Sequence, residues 1–181
     1  MRNDPILILT LFLSFIFIGC SSNLPQNDPT PNNRNVTLND IENLRIGSTT
    51  REDTKKLFGA PNREVNLDKH GGGIGWAYKI KDGPEFSLTF DPANVLVASL
   101  WSPLSEKPEA SLQGALTRFP KGHFTPIKRQ WTAADGIYEQ TTYSDKNLGI
   151  DIELWNYSDS RVESISFTRP QENIQRLPSQ K

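Results

Sequence analysis

The sequence has little of the side chains that most often carry catalysis and metal binding. Its 181 residues include one cysteine and two histidines. A single cysteine excludes an internal disulfide, and the scarcity of both residue types argues against a thiolate or imidazole metal site. The 20 basic and 21 acidic residues leave a formal net charge of −1, which argues against a nucleic-acid-binding protein. We therefore expect no metal, no bound cofactor and no nucleic-acid partner.

Long apolar runs are also missing, apart from one at the start of the chain. Residues 6–18 are apolar except for a threonine and a serine. This run is shorter than the roughly 20 residues that span a bilayer, but it suits the apolar region of a signal peptide. The following Gly19-Cys20 completes a segment that resembles the lipobox of bacterial lipoproteins. The resemblance implies cleavage between Gly19 and Cys20, and a covalent lipid on Cys20.

The segment after the cysteine contains almost nothing that a folded core could bury. Residues 21–35 include three prolines, five asparagines and one large aliphatic side chain. Such a composition favours a disordered tether. Ser21 follows the lipidated position, and the absence of an aspartate there implies sorting to the outer membrane of a two-membrane cell. The expected location is therefore the outer membrane, with the protein lipid-anchored and facing the periplasm.

Three short helices are predicted from local signals. Thr37 and Thr50 are each followed three positions later by an aspartate, a spacing typical of a capping box. Gly47 and Gly59 end the first two helices. A third helix is predicted over residues 108–119, where apolar side chains recur at helical spacing.

Seven strands are predicted, most of them from the alternation of apolar and polar residues. Turn-forming residues separate the first three strands from one another, and the remaining four follow the third helix. The predicted strands cover residues 76–80, 85–90, 95–101, 125–131, 137–143, 148–155 and 161–168.

This order of elements predicts an α+β fold with short helices packed on one face of an antiparallel β-sheet. The same order also fits two degenerate helix-plus-meander repeats. Five regions are expected: a signal peptide (1–19), the lipidated cysteine with its tether (20–35), a helix-helix-strand unit (36–104), a helix-plus-four-strand unit (105–170) and a polar tail (171–181).

One stretch resembles a known family. Residues 44–61, with Gly47, Thr49, Gly59 and Pro61, resemble the signature of the SmpA/OmlA family, the BamE-like outer-membrane lipoproteins. The later Trp76-x-Tyr78 and Leu88-Thr89-Phe90-Asp91 segments fit the family's strands, so the resemblance covers residues 36–101.

Two positions depart from the pattern. Ser48 stands where the family usually has Met, and Thr54 where it usually has Val. The second half of the chain looks more like the tandem arrangement of β-lactamase-inhibitor-like proteins. What these resemblances imply is a protein-binding module of the cell envelope.

The candidate binding residues are tryptophans. Trp101, Trp131 and Trp155 lie at or near predicted strand ends, and exposed aromatic side chains are favoured at interfaces. Trp101 and Trp155 are predicted to form a binding patch.

The candidates for catalysis are weaker. Asp151, Glu153 and Glu163 fall on one predicted sheet face, where we expect them to be solvated charges. His70 lies in a glycine-rich loop and His123 follows a helix end, so neither has a partner at metal-ligand or catalytic spacing. No catalytic residue is assigned.

The sequence therefore predicts a non-enzymatic lipoprotein, held at the membrane by its lipid and acting on another envelope protein, in outer-membrane protein assembly or envelope integrity. One alternative is an inhibitor-type module that binds a secreted hydrolase. Another is an enzyme with an unrecognised site, which a deep pocket with perturbed carboxylates would support.

Overall fold

A computed structural model describes residues 36–67, 72–80, 83–133, 136–155 and 160–170. The predicted signal peptide, the Gly19-Cys20 cleavage site, the lipid on Cys20, the tether, the polar tail and the loop that holds His70 lie outside the described residues. None of the helices in the described ranges is long and apolar enough to cross a membrane.

The described residues build one eight-stranded antiparallel sheet with the order β1-β2-β3-β4-β8-β7-β6-β5. Each half of the chain supplies a four-stranded meander, and the two meanders meet where β4 pairs with β8, from Ala98↔Thr168 to Trp101↔Ile165. The strands are β1 (Arg63–Asn66), β2 (Ile74–Lys79), β3 (Glu85–Phe90), β4 (Leu96–Ser102), β5 (Thr125–Ala133), β6 (Gly136–Asp145), β7 (Ile150–Leu154) and β8 (Val162–Thr168).

In the described ranges, three short α-helices accompany the sheet: α1 (Leu38–Glu42), α2 (Arg51–Phe58) and α3 (Leu112–Arg118). The two capping boxes predicted from the sequence are confirmed. At the start of α2, the Asp53 N–H donates to the Thr50 hydroxyl at 3.2 Å, and the Thr50 hydroxyl donates to the Asp53 carboxylate at 2.7 Å. Satisfying these otherwise unpaired groups explains why such a short segment forms a helix.

The predicted α+β fold class is wrong, because the sheet dominates the structure. The helices have only 5, 8 and 7 residues, and part of the predicted third helix is a 3-10 turn over Pro108–Ala110. The sheet is larger than predicted, since β1 was not foreseen and β5 and β6 reach 9 and 10 residues. The Thr37 and Thr50 caps marked where α1 and α2 begin, and Gly59 marked where α2 ends. The prediction that Gly47 ends the first helix is wrong, because α1 ends at Glu42 and has room for only one turn.

A single apolar core lies against one side of the sheet and continues across residue 104, the predicted limit between the two units. The fully buried Trp76 and Phe86 from the first meander belong to the same cluster as Ile152 and Ile165 from the second. Rings stack within it, with the Tyr78 and Phe86 centroids 4.6 Å apart. Burial of these side chains is the main stabilising contribution to the fold.

The other side of the sheet carries mainly small and polar side chains, with the apolar Leu100 among them. Ser87, Leu100, Ser166 and Asp151 are cross-strand partners in one row over four neighbouring strands. In the next row Ser164 is opposite Glu153. This polar side, together with the ends of the strands that frame it, holds the features with functional potential.

Candidate functional site

The first candidate feature is a two-stranded extension of the sheet. β5 and β6 pair continuously from Thr125↔Ser144 to Ala133↔Gly136, but β7 pairs with β6 only over Thr142–Asp145. Residues 128–133 and 136–141 therefore extend past β7 as a ribbon, which we call the arm. At about 3.3 Å per residue, six residue pairs give the arm a length of about 20 Å.

The arm presents large apolar side chains at its surface. Trp131 and Tyr138 are cross-strand partners whose rings stack with centroids 5.8 Å apart. Trp131 is 42% exposed, and Ile137, which points to the opposite side of the arm, is 59% exposed. An aromatic pair on a cross-strand position stiffens a hairpin, and exposed aromatics of this kind are typical of interfaces.

The arm also carries features that limit indiscriminate strand pairing. β5 is the last strand of the sheet on this side, and it contains Pro126, Lys128 and Arg129. Proline and lysine on an edge strand oppose edge-to-edge aggregation. Lys128 pairs with Glu139 across the arm at 3.2 Å. The arm is therefore suited to contacts through side chains rather than through its backbone edge.

The second candidate feature is a pocket of about 220 Å³ at the base of the sheet, between the ends of β3, β4, β7 and β8. Three carboxylates line it, from Glu85, Glu153 and Glu163. Its remaining walls combine apolar side chains such as Leu100 and Val162 with Trp155, Arg161 and three serines. A pocket of mixed apolar and acidic character results.

Glu153 is the most perturbed group in this pocket. It is only 7% exposed, and the Ser164 hydroxyl donates to its Oε2 at 3.0 Å. Burial first, and then the negative charge of Glu163, raise the pKa of Glu153 to about 7. The Ser164 hydrogen bond and the positive charge of Arg129 act in the opposite direction. The expectation that this carboxylate is simply solvated is wrong.

Glu163 links the pocket to the arm. The Gln140 side-chain amide, which belongs to the arm, donates to Glu163 Oε2 at 3.3 Å. Burial raises the pKa of Glu163 as well, while this hydrogen bond lowers it. The two carboxylates and the arm therefore form one continuous region.

The two tryptophans predicted to form a binding patch lie in different environments. Trp155 lines the pocket, is 46% exposed, and has the Arg161 guanidinium 5.0 Å from its ring centroid. Trp101 is only 3% exposed and stacks on Phe86 in the core, with centroids 6.4 Å apart. The expected exposure of Trp101 is wrong.

The burial of Trp101 has a physical cause in the sheet register. β4 is apolar on both sides, so its sequence does not reveal which side faces the core. The register also shifts between β3 and β4, because Thr89 is opposite Ala98 while Phe90 is opposite Leu96. Beyond this shift, Trp101 faces Phe86 and the core. Trp131, noted at a strand end, was not predicted to form the stacked pair on the arm.

The remaining candidate among the described residues, His123, has a structural role. The His123 backbone N–H donates to Asp145 Oδ2 at 2.6 Å, and the N–H groups of Asn147 and Leu148 also donate to that carboxylate. These contacts hold the turn after β6. Among the described residues, no group of three histidine, cysteine, aspartate or glutamate side chains could hold a metal ion.

Comparisons with known proteins identify no family for the chain. No family model matches it, and no curated protein matches it. A crystal structure of a DUF4309 family protein (YjgB) from Bacillus subtilis is 14% identical, with a TM-score of 0.46, and covers 70% of this chain and 82% of its own.

Proposed function

We propose that this chain is a lipid-anchored, non-catalytic protein-interaction module of the outer membrane, facing the periplasm, and that the arm is its contact element. The observation that carries the proposal is the arm itself. It extends past β7, is held by cross-strand pairs, and presents Trp131 and Ile137 on opposite sides. Exposed apolar side chains grouped on a projecting element are a typical interface signal.

The sequence supports the location and the process. The apolar run before Gly19-Cys20 is consistent with export and lipid attachment at Cys20. The near-zero net charge agrees with a protein partner rather than a nucleic acid. The resemblance of residues 36–101 to SmpA/OmlA proteins favours a role in outer-membrane protein assembly or envelope integrity.

A second candidate, an inhibitor-type module for a secreted hydrolase, is favoured by the shape of the arm. A two-stranded ribbon about 20 Å long is narrow enough to enter an active-site cleft. The identity of the captured partner separates the two candidate functions. Capture of outer-membrane assembly components would favour the first, and capture of a soluble hydrolase would favour the second.

The test is site-specific photo-crosslinking in intact cells. A photoreactive residue placed at position 131 or 137 is expected to capture the same envelope protein. One placed at the exposed Lys56 of α2 serves as the matched control, because α2 packs through Phe58 on Tyr78 of β2, at the opposite end of the strand order from the arm. Equal capture of that protein from all three positions would contradict the assignment of the arm.

A separate measurement tests the anchor. The wild-type protein is expected in the outer-membrane fraction, with an acylated Cys20 peptide in its mass spectrum, and Cys20→Ser is expected to lose both properties. Recovery of the wild-type protein in the soluble fraction, free of acyl groups, would overturn the proposed location.

A further inference from the structure

The pocket at the base of the sheet has the size of a single side chain. Its volume is about 220 Å³, which is below the roughly 300–1,000 Å³ of sites for drug-sized ligands. Several strands and the segment before α3 frame it, because Leu100 and Ser102 come from β4, Glu153 from β7 and Ala110 from the 3-10 turn. A ligand that fills this pocket is therefore small or is one group of a larger partner.

The walls of the pocket combine apolar surface with carboxylates. Leu100, Pro103, Ala110 and Val162 supply aliphatic surface, and Trp155 supplies an aromatic ring. Three glutamates share the same pocket. Lysine and arginine side chains have the matching chemistry, since an aliphatic stem packs on apolar surface while the charged end meets an anion.

Two of the carboxylates have no cationic partner in the part of the chain that the structure describes. Glu85 pairs with Lys79 at 2.9 Å. Glu153 and Glu163 form no ion pair within 4 Å among the described residues, and the hydrogen bonds they accept come from the neutral Ser164 and Gln140 side chains. Buried carboxylates are normally paired with a cation, because removing an unpaired charge from water is costly.

Other charged groups near Glu153 and Glu163 do not supply the cationic partner that these carboxylates lack among the described residues. Arg129 lowers the pKa of Glu153 through space, but the two form no ion pair among the described contacts. Asp151 is itself acidic and raises the pKa of Glu153 further. The Arg161 guanidinium lies over the Trp155 ring. Among the described residues, the pocket thus keeps a carboxyl group without a cationic partner on a side chain that is more than nine-tenths buried.

The geometry also distinguishes an organic cation from a metal ion. Three carboxylates line the pocket, yet no three of the acidic, histidine or cysteine side chains in the described ranges converge closely enough to hold a metal. A metal ion needs several oxygens at about 2–2.6 Å. An ammonium or guanidinium group can instead meet one buried carboxylate while its stem occupies the apolar part.

We propose that this pocket binds a lysine or arginine side chain of the protein that docks on the arm, with Glu153 as the main anion and Trp155 as an apolar wall. The two sites adjoin, because Gln140 of the arm contacts Glu163 of the pocket. This inference rests on the proposed function for its ligand, but the pocket itself can be tested separately with small probes.

The probe is Nα-acetyl-lysine methylamide, and its matched control is the norleucine analogue, which keeps the stem without the charge. Binding to the purified lipidated full-length protein in detergent micelles is followed by carboxyl-carbon NMR of the glutamates and by tryptophan fluorescence, with Trp155→Phe identifying the part of the signal that comes from the pocket. We expect the lysine probe to shift the Glu153 signal and lower its pKa, since a nearby cation favours the charged form. The norleucine analogue should do neither.

Two variants complete the test. Glu153→Gln keeps the shape of the side chain and is expected to weaken probe binding by about tenfold or more, since it removes a charged hydrogen-bond partner. Glu163→Gln gives a second, independent variant. Glu52→Gln, at an exposed position on α2, should bind like the wild type. Binding that is unchanged in both pocket variants would overturn the inference.

The outcomes also separate this inference from the proposed function. Absence of lysine-probe binding at millimolar concentration, while positions 131 and 137 still capture a partner, overturns the pocket and leaves the arm. Tighter binding of Mg²⁺ or Ca²⁺ with the same signal changes would overturn the choice of an organic cation. Probe binding without partner capture from the arm supports the pocket alone.

Discussion

The Arg118 guanidinium forms a two-point ion pair with the Glu42 carboxylate, with Nε 2.5 Å from Oε1 and Nη2 2.8 Å from Oε2. The two residues are 76 positions apart and join α3 of the second half to α1 of the first. Both side chains are partly buried. The hydrogen bond with Glu42 raises the pKa of Arg118, and paired contacts of this geometry are stronger than single ones.

A double-mutant cycle should measure this connection between the halves. Arg118→Ala and Glu42→Ala are expected to show a coupling of about 1 kcal/mol in urea unfolding, because a partly buried two-point pair exceeds the usual surface pair. The cycle for the more exposed pair Lys128 and Glu139 is the control and should give a smaller coupling. Equal couplings would contradict the special role of the first pair.

The stability of the fold should decrease as pH rises from about 4.5 to about 7. Burial, and next the Glu163 charge, raise the pKa of Glu153 from 4.5 to about 7 in the folded state. Between these two pH values, the folded state holds a proton that the unfolded chain has already lost. The resulting contribution to the free energy of unfolding is fully present below about pH 4.5 and is lost as pH rises through about 7. Since each pKa unit corresponds to about 1.4 kcal/mol, the loss is about 3 kcal/mol.

Comparing variants isolates this contribution from the other titrating groups. Glu153→Gln cannot ionise, so it should remove most of the stability difference between about pH 5 and pH 8 in urea unfolding. Glu139→Gln, on the surface of the arm, should keep the wild-type difference. A Glu153→Gln protein with the wild-type dependence on pH would show that this carboxylate is not the source.

Trp101 and Trp155 should differ strongly in their effect on stability. Trp101→Ala is expected to cost about 3–5 kcal/mol, because it leaves a cavity beside Phe86 in the core. Trp155→Ala should cost about 1 kcal/mol or less, since it removes a half-exposed ring and its contact with Arg161. Chemical unfolding of both variants makes the comparison, and similar losses would argue against the assigned burial.

The N-cap of α2 should be measurable in the same way. Thr50→Ala is expected to destabilise the protein by about 1 kcal/mol, because it removes the hydroxyl that accepts the Asp53 N–H. Thr117→Ala in α3 is the matched control, since Thr117 is exposed and does not cap the helix. A Thr50→Ala loss no greater than that of the control would argue against the cap.

Local signals in the sequence predicted much of the secondary structure. The Thr50 and Thr37 caps and the Gly59 stop are properties of a few adjacent residues, so they can be recognised without knowing the fold. Strands with clear alternation, such as those containing Trp76 and Leu88, were also found. β1 was missed because Arg63–Asn66 has only one apolar residue, and its strand conformation depends on pairing with β2.

Features that depend on distant pairing were not predictable. The strand order places β4 beside β8, a contact that no local pattern encodes. The burial of Trp101 follows from this neighbour and from the register shift in β4. The buried state of Glu153 likewise depends on residues from three other strands that frame the pocket. The arm was not predictable for the same reason, because its length past the sheet depends on where the pairing of β7 with β6 ends.

The position of β8 has a consequence for biosynthesis. Val162–Thr168 is the last of the described strands in chain order, yet it lies in the middle of the sheet between β4 and β7. Until this segment is synthesised, β4 and β7 each have an unpaired edge in addition to the outer edges at β1 and β5, and the two meanders cannot join. Such late, long-range closure slows folding and leaves the edges open to wrong partners in the meantime, so shielding by a chaperone would matter most during that interval.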